Sequence, residues 1–169
     1  MTITTPSTDN FADELQAFKL AIDTKGIYGA LRFLNSRTPH RYSGIYRYDG
    51  NKLLNIGMYD KYDPNTEKGE DAPLSATYCS LLKKRQTLEV LDVQEDARLK
   101  GIIITPVLSY CGVLIKDEHG NPFGSLCHFD MKRCQERTTD FPLLESAANL
   151  IYQYIKEEKE AVPLVAEQL

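Results

Sequence analysis

The chain has 169 residues, of which 42% are hydrophobic and 26% are charged, a composition typical of one folded globular domain. Its net charge of −4 argues against nucleic-acid binding, which usually needs a basic surface. No stretch is long and apolar enough for a membrane span, and residues 1–10 lack the features of a secretory signal. We therefore expect a cytoplasmic protein that binds neither nucleic acid nor membrane.

The amino-terminal part of the chain has a helical pattern. Apolar residues recur at helical spacing from Phe11 to Ile22, and Gly26 interrupts the series. A second short helical pattern follows and ends near Ser36. We expect two helices here, preceded by a flexible polar tail over residues 1–10.

A hairpin and a third helix are expected next. The residue pattern alternates with a period of two in two segments, residues 41–48 and 52–59. Asp49 and Gly50 between them tolerate the positive φ of a tight hairpin turn. Residues 60–73 form a polar loop, and Pro73 and Ser75 are expected to open the next helix.

The carboxyl-terminal half predicts three more strands and a long last helix. The strands are expected over residues 87–93, 107–115 and 123–130. A charged loop at 94–101 follows the first of them, and residues 117–121 have the composition of a hairpin turn. The last helix begins near Thr139 or Asp140 and ends before Pro163. Strands joined by tight turns indicate an antiparallel sheet with helices on its faces.

Three stretches, in the right order, resemble the GAF family. Residues 76–79 are similar to the helix after its second strand, residues 89–98 to a strand leading into an Asp-rich loop, and residues 109–130 to its terminal hairpin. With the flanking helices the resemblance covers residues 11–158, which leaves a second flexible tail at 159–169.

The resemblance implies an α+β fold built on an antiparallel sheet of five to six strands. The N- and C-terminal helices would pack on one face of this sheet and could also pair with a second subunit. A pocket on the other face would be roofed by the helix that contains Cys79 and by the loop from Val93 to Pro106.

The pocket implied by the resemblance has seven candidate ligand-binding residues. They are Tyr46, Tyr78, Cys79, Tyr110, Cys111, Cys127 and His128. GAF proteins bind cyclic nucleotides, bilins, haems or small metabolites, and the fold alone does not choose among them. The cyclic-nucleotide signature Asn-Lys-x-Phe-Asp-Glu is absent, and the long chromophore-binding motifs of bilin proteins are not recognisable. The cofactor therefore stays unassigned.

The four cysteines are expected as thiols in a cytoplasmic protein, and no C-x-x-C pair suggests a zinc site. If Asp117 pairs with Pro122, Cys111 lies opposite His128, where an imidazole could activate the thiol. A shift of one residue would place Cys111 opposite Cys127 instead. Only these two cysteines have a plausible route to disulfide distance. No metal site is assigned, although Cys111, Cys127 and His128 could cluster.

Two functions from different classes fit these residues. The first is a sensory or regulatory domain in signal transduction, which binds a small molecule, reports to a partner protein and forms a homodimer through its terminal helices. The alternative is a thiol-dependent reductase of the free methionine sulfoxide type. In that group the resemblance implies a catalytic cysteine in the roofing loop, and Val93 to Pro106 contains none. We therefore assign no catalytic residue and expect a binding domain rather than an enzyme.

Overall fold

The structure is a computed structural model that describes residues 8–75, 77–103, 105–137 and 139–167. Within these ranges the helices and strands follow in the order α1 (Thr8–Asn35), β1 (Tyr42–Asp49), β2 (Lys52–Asp60), β3 (Ala72–Pro73), α2 (Tyr78–Arg85), β4 (Thr87–Val90), β5 (Ser109–Lys116), β6 (Pro122–Asp130) and α3 (Phe141–Glu167).

The strands form one antiparallel sheet in the order β3-β2-β1-β6-β5-β4. Two hairpins build it, β1–β2 and β5–β6. The turn of the first contains Gly50 with φ of 58°, as its Asp-Gly sequence predicts. The central pairing joins β1 to β6, so residues far apart in sequence meet in the middle of the sheet. The expected antiparallel sheet of five to six strands is confirmed.

Apolar side chains cover both faces of the sheet. On one face α1 and α3 pack together over the strands, through Phe18, Ile22, Leu31, Ile45, Val113, Ile115, Leu126, Leu143 and Ile151. On the other face α2 and the segment after β4 build a smaller core from Leu53, Tyr78, Leu82, Leu88, Val90, Leu99 and Tyr110. The predicted placement of the terminal helices on one face and of a helix and loop on the other is confirmed.

The predicted break between two amino-terminal helices is confirmed: α1 consists of two helical segments that meet in a kink at Gly26, whose φ of 66° is not helical. Two other predicted helix limits are wrong. Pro73 does not open a helix. It lies in β3, at the edge of the sheet, where a missing amide donor is tolerated. The last helix does not end before Pro163 but continues to Glu167, although proline is unfavourable inside a helix.

The start of α2 is set by a side-chain cap. Thr77 has extended backbone angles, and its hydroxyl accepts a hydrogen bond from the Ser80 amide at 3.3 Å. Such a cap satisfies one of the unpaired amides of the first turn. It fixes Tyr78 and Cys79 in that first turn, over the sheet. In the described part of the chain, no helix is both long and apolar enough to cross a membrane.

Candidate functional site

A cavity of about 130 Å³ lies between α2 and the sheet. We call it the α2 cavity. Five of the seven predicted site residues line it: Tyr46, Tyr78, Cys79, Tyr110 and Cys127. Leu53, Val107 and Phe129 complete much of its apolar wall. A few polar groups in an apolar wall are what small-molecule sites usually present.

Two stacked tyrosines form one side of the α2 cavity. The rings of Tyr78 and Tyr110 lie 4.7 Å apart between centroids, with an angle of 13° between their planes. The Tyr78 hydroxyl donates to the Val107 carbonyl at 2.7 Å. Gly112 makes room for this stack, because a Cβ at that position would lie 2.5 Å from the Tyr110 hydroxyl oxygen. Burial raises the pKa of both phenols, so they are neutral hydrogen-bonding groups.

The Cys79 thiol has an unusually polar setting inside this cavity. Its Sγ lies 3.1 Å from the Ser125 hydroxyl and 3.5 Å from the Tyr110 hydroxyl. The neighbouring Cys127 thiol is the main reason why the pKa of Cys79 is lowered, and the Ser125 and Tyr110 hydroxyls act in the same direction. The pKa of Cys127 is raised, because it is buried beside Cys79. Cys79 is therefore the sulfur of the pair that ionises first.

The two remaining predicted site residues, Cys111 and His128, lie on the other face of the sheet. They are opposite each other in the β5–β6 register, as predicted for an Asp117–Pro122 hairpin, although Pro122 itself pairs with Lys116 across a bulge. Neighbouring residues on a strand point to opposite faces, so Cys127 faces the α2 cavity and His128 does not. The prediction that His128 contributes a polar group to this cavity is wrong. A cluster of Cys111, Cys127 and His128 around a metal is excluded for the same reason.

His128 belongs to a buried polar network beneath the terminal helices. Its Nδ1 lies 2.5 Å from the Ser43 hydroxyl, which accepts a hydrogen bond from the Asn35 side-chain amide at 2.9 Å. The Ser43 hydroxyl thus links the Asn35 amide to the imidazole, and the tautomer of His128 sets which partner of the second bond donates. The ring of His40 stacks on that of His128, at 6.1 Å between centroids. Burial lowers the pKa of His128 to about 3, and His40 and Lys61 add to the effect.

Cys111 is also part of this second face. It is fully buried, and burial raises the pKa of its thiol to about 12. Its sulfur is therefore neutral at physiological pH. It cannot pair with Cys127, because their side chains leave the sheet on opposite sides. The predicted route to a Cys111–Cys127 disulfide is wrong, and the two cysteines that share a cavity are Cys79 and Cys127.

The described residues that line the α2 cavity carry no Asp, Glu, Lys, Arg or His side chain. A wider depression of about 360 Å³ lies elsewhere, next to the segment after β6, and is lined by polar and charged residues that include His40, Asp130 and Arg133. It contains none of the predicted site residues. Among the described residues, no three His, Cys, Asp or Glu side chains are placed to hold a metal ion.

Solved structures share this arrangement of sheet and helices. The free methionine-R-sulfoxide reductase of Neisseria meningitidis, in complex with its substrate, matches with a TM-score of 0.68 and 14% identity over 95% of this chain and 98% of that one. The GAF domain of an Acinetobacter phosphoenolpyruvate-protein phosphotransferase matches with a TM-score of 0.69 and 13% identity, over 91% and 97% of the chains. The chain has the GAF fold. No family model matches its sequence, and no curated protein does.

A third match to this GAF fold is the type II free methionine-R-sulfoxide reductase of Thermoplasma acidophilum. Its TM-score is 0.57 at 19% identity, over 86% of this chain and 96% of that one. The matches therefore include both domains described only as GAF and reductases. Since all three identities are low, they establish the GAF fold and leave the choice of function to the residues of the site.

Two residues that contact Cys79 were not predicted from the sequence. Ser125 approaches Cys79, and the Tyr48 hydroxyl donates to the Cys79 carbonyl at 2.7 Å. A signal for Ser125 was present, because it is two residues before Cys127 on one strand and therefore faces the same side. Tyr48 offered no such signal, since its contact depends on how α2 packs across the sheet.

Proposed function

We propose that this chain is a regulatory domain that binds a small, uncharged ligand in the α2 cavity. The observation that carries the proposal is the wall formed by the stacked Tyr78 and Tyr110 beside the polar group of Cys79. Aromatic faces give contact area to an apolar ligand, and the few hydroxyl and thiol groups can fix its orientation.

The size and charge of the cavity define the ligand class. A dry cavity of roughly 150 Å³ holds a molecule of about benzene size, and the α2 cavity is close to this volume. A charged group would lose its hydration without gaining a partner of opposite charge from the described lining residues. Neutral molecules with a ring or a short branched chain, and with one hydrogen-bonding group, fit best.

The position of α2 offers a route from ligand binding to a signal. The helix contacts the ligand side of the sheet through Tyr78 and Cys79, and the Tyr48 hydroxyl ties it to β1. A ligand shifts the position of α2 only if it binds one position more tightly than another. A partner protein in signal transduction would then recognise the shifted helix and its basic last turn, Lys83 to Arg85.

Protein-observed NMR with a library of neutral fragments tests the proposal. We expect fragments to shift the signals of residues that line the α2 cavity and to leave His128 unchanged. Ala72 is half-buried in the cavity wall, so Ala72→Phe should fill the space and weaken binding by at least about tenfold, or about 1.4 kcal/mol. Ala21→Leu, at a half-buried alanine on α1, is the matched control. Binding that survives Ala72→Phe would contradict the proposal.

The second candidate is a thiol-dependent reductase of the free methionine sulfoxide type. Its support is the Cys79–Cys127 pair in the cavity and the similarity of the fold to two such reductases. Free methionine sulfoxide carries an ammonium group and a carboxylate group at neutral pH. The described residues of the cavity wall provide an opposite charge for neither of these groups. We therefore rank this candidate below ligand binding.

A turnover assay separates the two candidates. Free methionine sulfoxide and a dithiol reductant would be incubated with the wild type, with Cys79→Ser and with the control Cys111→Ser on the opposite face. Turnover that is lost in Cys79→Ser and kept in Cys111→Ser would establish the reductase. Absence of turnover in the wild type would eliminate it.

A further inference from the structure

The α2 cavity contains two thiols that a purely binding role does not require. Cys79 comes from α2 and Cys127 from β6, and their side chains are 5% and 1% exposed. Both line the cavity, where the Cys79 sulfur lies within hydrogen-bond distance of the Ser125 and Tyr110 hydroxyls. Small apolar side chains would fill these positions equally well in a simple binding site. The pair therefore provides two sulfur atoms in contact with whatever enters the cavity.

The surroundings of Cys79 stabilise its thiolate. The hydroxyls of Ser125 and Tyr110 and the thiol of Cys127 can all donate hydrogen bonds to a negatively charged sulfur. Cys79 also lies in the first turn of α2, where the helix dipole favours a negative charge. These contacts lower the pKa of Cys79, so its thiol ionises more readily than that of Cys127, whose pKa is raised.

The other two cysteines lack this combination. Cys111 is fully buried on the opposite face, and its raised pKa keeps it protonated. Cys134 follows β6 and is half-buried outside the α2 cavity, with its Sγ 3.2 Å from the Glu136 carbonyl. An electrophile bound in the α2 cavity therefore contacts Cys79 and neither Cys111 nor Cys134.

We propose that Cys79 reduces small, uncharged hydroperoxides in the α2 cavity, with Cys127 as the resolving thiol. The inference rests on the cavity of the proposed function and adds a substrate class to it. Hydroperoxides of low molecular mass are neutral, which suits a wall without described charged side chains. Their leaving alkoxide needs a proton, and the Tyr110 and Ser125 hydroxyls lie beside the Cys79 sulfur to deliver it.

The reaction has two steps. The Cys79 thiolate attacks the terminal oxygen of the hydroperoxide, the oxygen–oxygen bond breaks, and the alkoxide takes up a proton to leave as an alcohol. Cys79 is then a sulfenic acid. The Cys127 sulfur attacks the Cys79 sulfur and displaces the hydroxyl as water, which leaves a disulfide. The cysteines have lost two electrons, and the hydroperoxide has gained them. Two molecules of an external thiol of low molecular mass then reduce the protein disulfide by exchange, which restores both cysteines and releases the external thiol as its own disulfide.

Peptide mapping of the reduced full chain after exposure to peroxide tests the proposal. Hydrogen peroxide and tert-butyl hydroperoxide are the probes, and free methionine sulfoxide is the charged comparator. We expect a Cys79–Cys127 disulfide and a chain mass lower by two hydrogen atoms with both peroxides. Cys79 and Cys127 that stay reduced while Cys134 is oxidised would overturn the inference, and this measurement needs no variant.

Two variants sharpen the assignment of roles. In Cys127→Ala the disulfide cannot form, so Cys79 should be trapped as a sulfenic acid by dimedone. Its oxidation should slow by up to about tenfold, because the loss of the thiol hydrogen bond raises its pKa towards the ordinary value. Cys111→Ala, on the other face, should react as the wild type does. Equal Cys79 oxidation rates in wild type and Cys127→Ala would contradict the thiolate argument.

The outcomes also separate this inference from the proposed function. Fragments that bind the cavity of a chain whose Cys79 does not react with peroxide would support binding alone. A Cys79–Cys127 disulfide in a chain that binds no fragment would support peroxide reduction and contradict the ligand-binding role. Oxidation by methionine sulfoxide but by neither peroxide would favour the reductase instead and overturn the inference.

Discussion

Acidification should destabilise this fold through His128. The pKa of this imidazole is about 3 in the folded chain, against an ordinary value of about 6.5 in an unfolded one. Because the folded pKa is depressed, the unfolded chain takes up the proton first as the pH falls. The stability contributed by neutral His128 is therefore complete above about pH 6.5 and is lost as the pH falls towards 3.

The magnitude follows from the size of the shift. At about pH 4.5 the unfolded imidazole is two pH units below its own pKa, while the folded one is still neutral. At about 1.4 kcal/mol per unit, the titration of His128 lowers the free energy of unfolding by about 3 kcal/mol between about pH 7.5 and pH 4.5. His40 and Lys61 face the same ring and make a second positive charge there more costly.

Urea denaturation at the two pH values measures this loss. His128→Asn keeps a hydrogen-bonding group beside the Ser43 hydroxyl but does not titrate. Its loss of stability on acidification should therefore be about 3 kcal/mol smaller than that of the wild type. His119→Asn, at the exposed tip of the last hairpin, should lose as much as the wild type. Carboxylates that titrate in this range affect all three proteins equally. An equal loss in the wild type and His128→Asn would refute the reasoning.

Three further outcomes test the structure around the site. Gly112→Ala places a Cβ against the ring of Tyr110 and should cost about 1–3 kcal/mol in urea denaturation; an unchanged midpoint would contradict the close approach. Thr77→Ala removes the cap of α2 and should cost about 1 kcal/mol, while Thr77→Ser keeps the hydroxyl and should cost little. The homodimer predicted through the terminal helices needs an outer apolar contact such as Leu20, which is 65% exposed. Light scattering should then show a dimer that Leu20→Glu dissociates, and a wild-type monomer at high concentration would contradict it.

The sequence predicted all the strands except β3, the antiparallel pairing within the hairpins and the opposition of Cys111 and His128. These are local properties, because hairpin turns fix the register of neighbouring strands. A bulge between Ile115 and Lys116 moves the partner of Pro122 by one residue, and the register is restored at the next pair. The predicted register therefore held over the rest of the hairpin.

The face of the sheet that carries the site could not be predicted. Apolar and polar residues alternate along a strand only when one face meets water. In β5 every residue from Ser109 to Ile115 is buried, since helices cover one face and α2 with its neighbouring segment covers the other. The sequence therefore did not reveal that Cys127 and His128 point to different cores.

The contact between Cys79 and Cys127 was also beyond sequence reasoning. One thiol is on a helix and the other on a strand more than forty positions later, and only the packing of α2 over the sheet brings them together. The start of that helix was itself mispredicted at Pro73, because proline suits both a first helical turn and an edge strand.

A crystal structure of the chain with a neutral fragment selected by NMR tests the central claim most directly. We expect electron density for the fragment beneath α2, against the stacked rings of Tyr78 and Tyr110 and within contact of Cys79. Fragment density in the polar depression beside Arg133, with the space beneath α2 closed by side chains, would contradict the account.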